Sequence, residues 1–284
     1  MVLQYLGTGA AEGWPGMFCY CDSCEDARNR GGRDIRTRSQ AMVYADGFGE
    51  GDQDARLLID LPPDTYLHHL VHKVDFTKIG HMLITHSHPD HFIPSNLKFR
   101  GPVYTNTPPK FPMHVYGNSK VIGICEDFLE SAPKGSEESY ILHVVEAFVP
   151  FYAGEFVITP LPASHDNRED CLIYMIESGG KRMLYGNDTG VFNDDVWRFL
   201  QDKHFDLMSL DCTWGIHAEG TNHMGLPDIL RVKERLMEQN TISEQTKIVA
   251  NHFSHNGWAC YNEMCALAEP HGLQVSFDGG KWIV

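Results

Sequence analysis

The chain has 284 residues, 42% hydrophobic, 11% aromatic and 21% charged, a composition that excludes disorder, collagen and coiled coil. Its net charge of −15 argues against nucleic acid as a partner, because gripping a phosphate polymer scales with lysine and arginine contacts. No apolar run reaches the roughly 18–20 residues of a membrane helix, and Met1 to Gly7 carries no basic region or long apolar stretch, so no membrane and no signal peptide are expected and the chain reads as cytoplasmic.

Leu3–Gly9 reads as a strand entering the turn Gly7-Thr8-Gly9. Cys19, Cys21 and Cys24 follow within six residues. Neighbours this close are awkward disulfide partners, whereas three thiolates suit a tetrahedral zinc with one ligand still to be supplied. The other cysteines, Cys125, Cys171, Cys212, Cys260 and Cys265, show no metal spacing and read as buried apolar thiols. A short polar helix is expected within 25–35, ending at Gly31, and Asp46–Asp54 reads as an acidic hairpin tip.

Strands are expected at Ser39–Ala45, Arg56–Asp60, His81–Thr85, Met113–Tyr116, Tyr140–Val145, Phe156–Pro160, Leu172–Glu177, Arg182–Gly186, Leu207–Asp211, Thr246–Ala250 and Gln274–Phe277. Helices are expected at Asp64–His72, Lys120–Glu130, Asp194–Gln201, Leu226–Glu238 and Asn262–Glu269. Strands outnumber helices, and the helices fall between strand groups without strict alternation. That pattern predicts an α+β chain, a β sandwich with helices outside, in one domain over residues 1–284.

The strand at His81–Thr85 ends in His86-Ser87-His88-Pro89-Asp90-His91, four potential ligands in six residues. His86 and His88 can point the same way from an extended backbone, and Asp90 and His91 then turn onto a second centre. Further candidates close later strands: His165 after Phe156–Leu161, Asp188 in a glycine-flanked turn, and His252 with His255 after Ile248–Ala250. Singly, each has a plain alternative: His165 a loop histidine, Asp188 a turn former, His252 a cap. Together they supply the ligand number and type for two divalent ions sharing a bridging water.

His86-x-His88-x-Asp90-His91, His165, Asp188 and His252, in that order and spacing, resemble the metallo-β-lactamase superfamily of dinuclear hydrolases over nearly the whole chain. Within it, Cys19-x-Cys21-x2-Cys24, with a histidine three residues after the last catalytic ligand, is similar to the phosphoribosyl 1,2-cyclic phosphate phosphodiesterases, the PhnP-like branch. The resemblance implies a four-layer αββα sandwich of two mixed sheets. It implies His86, His88 and His165 on one metal, Asp90, His91 and His252 on the other, and Asp188 bridging. It also implies His255 as the fourth ligand of a structural zinc with Cys19, Cys21 and Cys24. His223 matches the branch's further active-site histidine, with His217 placed second.

The activity so implied is phosphodiester hydrolysis by a metal-bridging hydroxide, with Asp90 and Asp188 in the catalytic set and protonated His223 serving the leaving group. Histidine and carboxylate accept manganese or zinc in the dinuclear pair, and zinc suits the cysteine site. The expected partners are a small phosphorylated substrate and a possible homodimer. Asp60, Asp166 and Asp211 are candidates for orienting ligand imidazoles, with no basis in sequence for choosing among them. The chain departs from the branch after His91, where it reads Phe92 to Leu97 and then the proline-rich stretch 103–112. Lys98, Arg100 and Lys110 read mainly as surface cations and secondarily as holders of a terminal phosphate. Lactone or carboxylic ester hydrolysis is the competing chemistry. Transfer-RNA 3′ processing and an accessory role like that of the pyrroloquinoline-quinone relatives rank behind it.

Overall fold

The computed structural model describes residues 1–47 and 52–284. The centre of the expected acidic hairpin tip at Asp46–Asp54 lies outside the described residues. Among those described, the strands form two seven-stranded mixed sheets.

The first sheet contains β1 (Val2–Gly7), β2 (Gln40–Tyr44), β3 (Arg56–Ile59), β4 (His81–Leu83), β5 (Met113–Gly117) and β6 (Tyr140–Val144) in that spatial order, with the C-terminal β14 (Lys281–Ile283) on the outer side of β1. The second contains β7 (Phe151–Ala153), β8 (Phe156–Pro162), β9 (Leu172–Ser178), β10 (Lys181–Gly186), β11 (Leu207–Asp211), β12 (Lys247–Asn251) and β13 (Leu273–Val275). The two sheets repeat one plan. β1 to β3 pair antiparallel and β3 to β6 parallel. Likewise β7 to β10 pair antiparallel and β10 to β13 parallel.

Period-two alternation splits each strand between two cores. Tyr5, Val43, Leu57 and Leu83 of the first sheet meet Ile158, Tyr174, Ile176 and Tyr185 of the second in the central layer. On the outside of the first sheet, Met42, Leu58 and Met82 pack on Val121, Ile122, Cys125 and Leu129 of α3 (Ser119–Ser131). On the outside of the second, Leu184, Met208 and Leu210 pack on α4 (Asp194–Leu200) and α5 (Leu226–Glu238). Four layers, αββα, result. Cys125, Cys171, Cys212 and Cys260 are buried and Cys265 partly so, as small apolar groups fit.

Most differences from the sequence reading are short edge elements. β7 and β14 are three residues each, too short to show a period. β8 runs two residues beyond Pro160, through Pro162. These prolines are tolerated because β7 pairs only as far as Ile158, which leaves their outer side without a ladder to break. The polar helix starts earlier than expected, at Asp22 with Cys21 as its N-cap, and ends at Arg30 before Gly31. The proline-rich stretch 103–112 has no strand or helix, and Pro94–Arg100 before it is a 3₁₀ helix.

Candidate active site

Parallel strands aim their carboxyl ends at one edge of a sheet, where ligands of open α/β sheets gather. Here both sheets aim them at the same edge of the sandwich. From the first sheet come Asp60 after β3 and His86, His88, Asp90 and His91 after β4. From the second come His165 after β8, Asp188 after β10, Asp211 closing β11, and His252 after β12. Asp60, Asp188 and His252 all have positive φ, at 67°, 57° and 63°. Such backbone is costly without glycine and persists where the surroundings over-determine it, as they do at binding sites.

The donor atoms meet in two overlapping groups. His86, His88, His165 and Asp188 have donors within 4.8 Å of one another, and so do Asp90, His91, Asp188 and His252. Asp188 is common to both: its Oδ2 lies 3.1 Å from His86 Nε2 and 3.0 Å from His91 Nε2, and its Oδ1 3.3 Å from His165 Nδ1. His88 presents Nδ1, 3.2 Å from His165 Nε2, and His91 and His252 face each other through Nε2 at 3.3 Å. His86 Nε2 and Asp188 Oδ1 are buried and, though close to charged neighbours, neither makes a well-aligned hydrogen bond. Buried polar atoms are seldom left so. Two orphaned donors inside a cage of imidazoles and carboxylates fit divalent cations.

The opposite ring nitrogens are fixed by partners that the sequence could not apportion. Asp60 Oδ2 takes His91 Nδ1 at 2.8 Å and is itself held by Thr85. Asp166 Oδ2 lies 3.0 Å from His88 Nε2 and is clamped by Arg168. Asp211 Oδ2 lies 3.3 Å from His252 Nδ1 and 3.2 Å from His223 Nδ1. All three candidate acids therefore orient imidazoles, Asp60 and Asp166 one each and Asp211 two. Thr213 and Glu169 were missed. Thr213 Oγ1 is 2.8 Å from His252 Nδ1 and 3.2 Å from His223 Nδ1. Glu169 holds Ser87 through both its N–H (2.9 Å) and its hydroxyl (2.6 Å) and so fixes the histidine turn from outside. Neither carries a local signal, since each is recruited only by the fold.

Electrostatics in the cluster push its imidazoles in opposite directions. Burial pulls the His91 imidazolium down, but Asp90 and Asp60 outweigh it and raise its pKa well above the usual range. Burial pushes the Asp188 carboxyl up, and the facing histidines overcome that and hold it well below its usual value. His165 is lowered to about 4, chiefly by burial. His223 is opposed by burial yet raised to about 9 by Asp211 and then Asp188. Cations entering such a cluster must displace protons, which makes their affinity pH-dependent.

A cavity of about 310 Å³ opens onto this cluster, lined on one side by His88, Asp90, His165, Asp188, His223 and His252. Ala10, Ala11, Glu12, Trp214, Ser254 and Asn256 complete it, with Thr213 between. His223 stands here because its loop is folded tightly on itself, where a Cβ on Gly225 would fall 1.7 Å from the His217 carbonyl oxygen, and because Met224 N–H ties it to Asp211 Oδ1 at 2.9 Å. His217 itself is exposed and outside the cavity. Lys98, Arg100 and Lys110 are outside it too. Lys98 covers the Phe99 ring at 5.1 Å, and Arg100 donates to the Phe111 carbonyl at 2.7 Å. No residue of the 103–112 stretch lines the cavity.

A second donor group joins the two ends of the chain. Cys19, Cys21, Cys24 and His255 have donors within 4.8 Å of one another, with His255 Nδ1 3.5 Å from Cys21 Sγ and 3.8 Å from Cys19 Sγ. Three sulfurs and one imidazole nitrogen match a tetrahedral zinc set. Ser23 helps to close it, its hydroxyl 3.3 Å from Cys21 Sγ and donating to the His255 carbonyl at 3.0 Å. The loop before His255 is pinned by the first residues: Phe253 N–H donates to the Thr8 carbonyl at 2.8 Å, and Ala10 N–H to the Phe253 carbonyl at 2.9 Å.

Fold and donor set together define a metal-dependent hydrolase. The family model for the beta-lactamase superfamily domain matches residues 55–243, and the chain belongs to that superfamily. Among solved structures it is similar to a new diphosphatase from the PhnP family, at 22% identity and TM-score 0.74 over 100% of this chain and 97% of that one. It is also similar to zinc-bound PqqB from Methylobacterium extorquens, at 17% identity and TM-score 0.69 over the whole of both chains. Human tRNase Z, short form, is similar at 17% identity and TM-score 0.65, over 100% and 99%. At these identities the likeness is one of fold. No curated protein matches the sequence. Among the described residues, no helix is long and apolar enough to cross a membrane.

Proposed function

We propose that this chain is a phosphodiesterase that hydrolyses a small phosphodiester at the His86–His252 cluster. In this reading His86, His88 and His165 hold one divalent cation, Asp90, His91 and His252 hold a second, and Asp188 serves both, with manganese or zinc suiting the donors. Such a pair supplies a water of lowered pKa and a positive clamp for phosphoryl oxygens. Cys19, Cys21, Cys24 and His255 hold a structural zinc. The likeness to a PhnP-family diphosphatase and to a tRNase Z agrees with phosphoryl chemistry.

The observation that carries the reading is the placement of His223. It lines the cavity beside the donor cluster while Asp211, Thr213 and Asp188 engage its Nδ1. Nε2 is then the atom that can give a proton to substrate. An alkoxide leaves phosphorus poorly unless protonated, so a protonated imidazole at this position answers a specific need of alkyl phosphodiesters. Asp90 and Asp188 keep the surrounding imidazoles oriented, and buried Asp60 and Asp211 fix them from behind.

The test compares metal-loaded wild type and His223→Ala on bis(p-nitrophenyl) phosphate, on a p-nitrophenyl-free alkyl phosphodiester, and on a homoserine lactone. The expectation is turnover of the phosphodiesters over the lactone. His223→Ala should lose about 10²–10⁴-fold on the alkyl ester and less on the nitrophenyl ester, whose leaving group needs little protonation. Faster lactone turnover, or equal losses on both esters with metal content unchanged, would sink it.

A further inference from the structure

The lining residues of the cavity outside the donor cluster have a chemistry of their own. Among the described residues, its lining contains no lysine or arginine. The nearest arginine by contact, Arg38, is spent elsewhere: its Nε donates to the Ala11 carbonyl at 3.3 Å and its Nη1 to both oxygens of Asp64 at 3.1 Å. What the lining offers instead is a carboxylate, Glu12, and an indole, Trp214. A substrate with a second phosphate would bring two or more negative charges against Glu12 with no side-chain cation to meet them.

Glu12 is also held in place. Ser254 Oγ donates to its Oε1, Asn256 Nδ2 lies 3.4 Å from the same oxygen, and His255 Nε2 lies 3.5 Å from it. These contacts gather on one oxygen and leave Oε2 to accept from a ligand. His255 faces the cysteines through Nδ1 and Glu12 through Nε2, so the cysteine cluster fixes this wall of the cavity as well as the loop of His252. The side chain keeps 33% of its surface exposed, which is what a group that must meet a ligand requires.

We propose that Glu12, with Trp214, Ser254 and Asn256, forms a specificity subsite for the non-reacting portion of the phosphodiester. That portion carries hydrogen-bond donors, hydroxyl or ammonium, and no second phosphate. The proposal rests on the phosphodiesterase reading above. Glu12 Oε2 accepts from the donor, and the Trp214 indole covers the short alkyl or ammonium segment beside it. Glu12 selects and positions. It takes no part in the bond-breaking step.

Four p-nitrophenyl phosphodiesters that differ only in the second ester group test it on the metal-loaded full chain: methyl, 2-hydroxyethyl, 2-aminoethyl and 2-phosphonooxyethyl. With methyl as reference, kcat/KM should rise for the hydroxyl and amino esters, about tenfold or more for the better of them, and fall by a similar factor for the phosphorylated one. The ranking of amino against hydroxyl identifies which donor the subsite takes. Glu12→Gln should bring the amino and phosphorylated ratios towards unity. A merely structural loss would lower all four esters equally and leave the ratios alone. Zinc content, measured in parallel, checks that the cysteine cluster beside Glu12 is intact. A preference for the phosphorylated ester, or ratios indifferent to Glu12→Gln, overturns the subsite while leaving the phosphodiesterase reading standing. If no ester turns over, that reading has failed and the subsite falls with it.

Discussion

The histidine–carboxylate cluster and the cysteine cluster both bring distant donors together, but on unlike supports. The first sits on strand ends of two packed sheets, and its imidazoles are backed by buried carboxylates: Asp60 and Asp211 are wholly buried. The second sits on an N-terminal loop, the first turn of the helix at Asp22–Arg30 and a 3₁₀ turn, beside Phe18 and Tyr20 that are almost fully exposed. Its loop is latched mainly by Arg28, whose guanidinium reaches the carbonyls of Gly16 (2.9 Å) and Cys19 (2.7 Å). One site is shaped by the fold before any cation arrives. The other has fewer buried partners behind its donors, so a bound cation should add more to its order. Metal at the first should therefore govern chemistry, and metal at the second should govern stability.

The largest expected effect is at Asp188, the carboxylate shared by the two overlapping groups. Asp188→Ala should lower phosphodiester turnover well beyond the roughly 10–100-fold that follows loss of an outer partner, while the melting midpoint moves less. Parallel kinetics and elemental analysis check this, and near-normal turnover would remove Asp188 from its central place. Cys21→Ser should do the opposite. One equivalent of zinc should vanish and the midpoint drop by about 5 °C or more, given ~2–4 °C per kcal/mol in a domain of this size. Turnover should fall secondarily through the His252 loop. Full zinc content with unchanged activity would break the contrast between the two sites.

The smallest effect concerns acid stability of the metal-free protein. Burial pushes the Glu169 carboxyl up, but hydrogen bonds from Ser87 and Asn118 overcome that and lower it from 4.5 to about 2. A depressed folded-state pKa adds stability above the unfolded value and loses it as pH falls through the folded one. Glu169 thus supports the histidine turn at neutral pH and releases it between about pH 4.5 and 2. Glu169→Gln should flatten the pH dependence of chemical unfolding in that window. An unaltered slope would show that the turn does not depend on this carboxylate.

How much of this was legible depended on how local each signal is. His86, His88, Asp90 and His91 are concentrated in one turn, so their chemistry shows in the sequence directly. His165, Asp188 and His252 could be singled out because each follows an apolar strand. Strand groups separated by helices predicted a β sandwich with helices outside, and the resemblance to the superfamily implied the four layers. The partition of Asp60, Asp166 and Asp211 among His91, His88 and His252 was not legible, because it depends on which strands are neighbours within each sheet and, for Asp166 and His88, on how the two sheets meet. Thr213 and Glu12 were hidden for the same reason: a threonine after a strand and a glutamate in a glycine-rich loop are ordinary until tertiary contacts recruit them. The continuation of β8 through Pro162 was hidden by the rule that prolines stop strands, which does not apply where the neighbouring strand has already ended.

The hydrogen bonds that pair residues 8–10 with Phe253 set an order of events during synthesis. The turn after the first strand must wait for the long intervening segment to be made before it meets the partner that places His252 and His255. Closure across so long a loop also predicts slow final folding. If the cysteine cluster holds zinc as proposed, a cell short of that ion would accumulate chains whose sheets have formed but whose two distant segments are not yet sewn together.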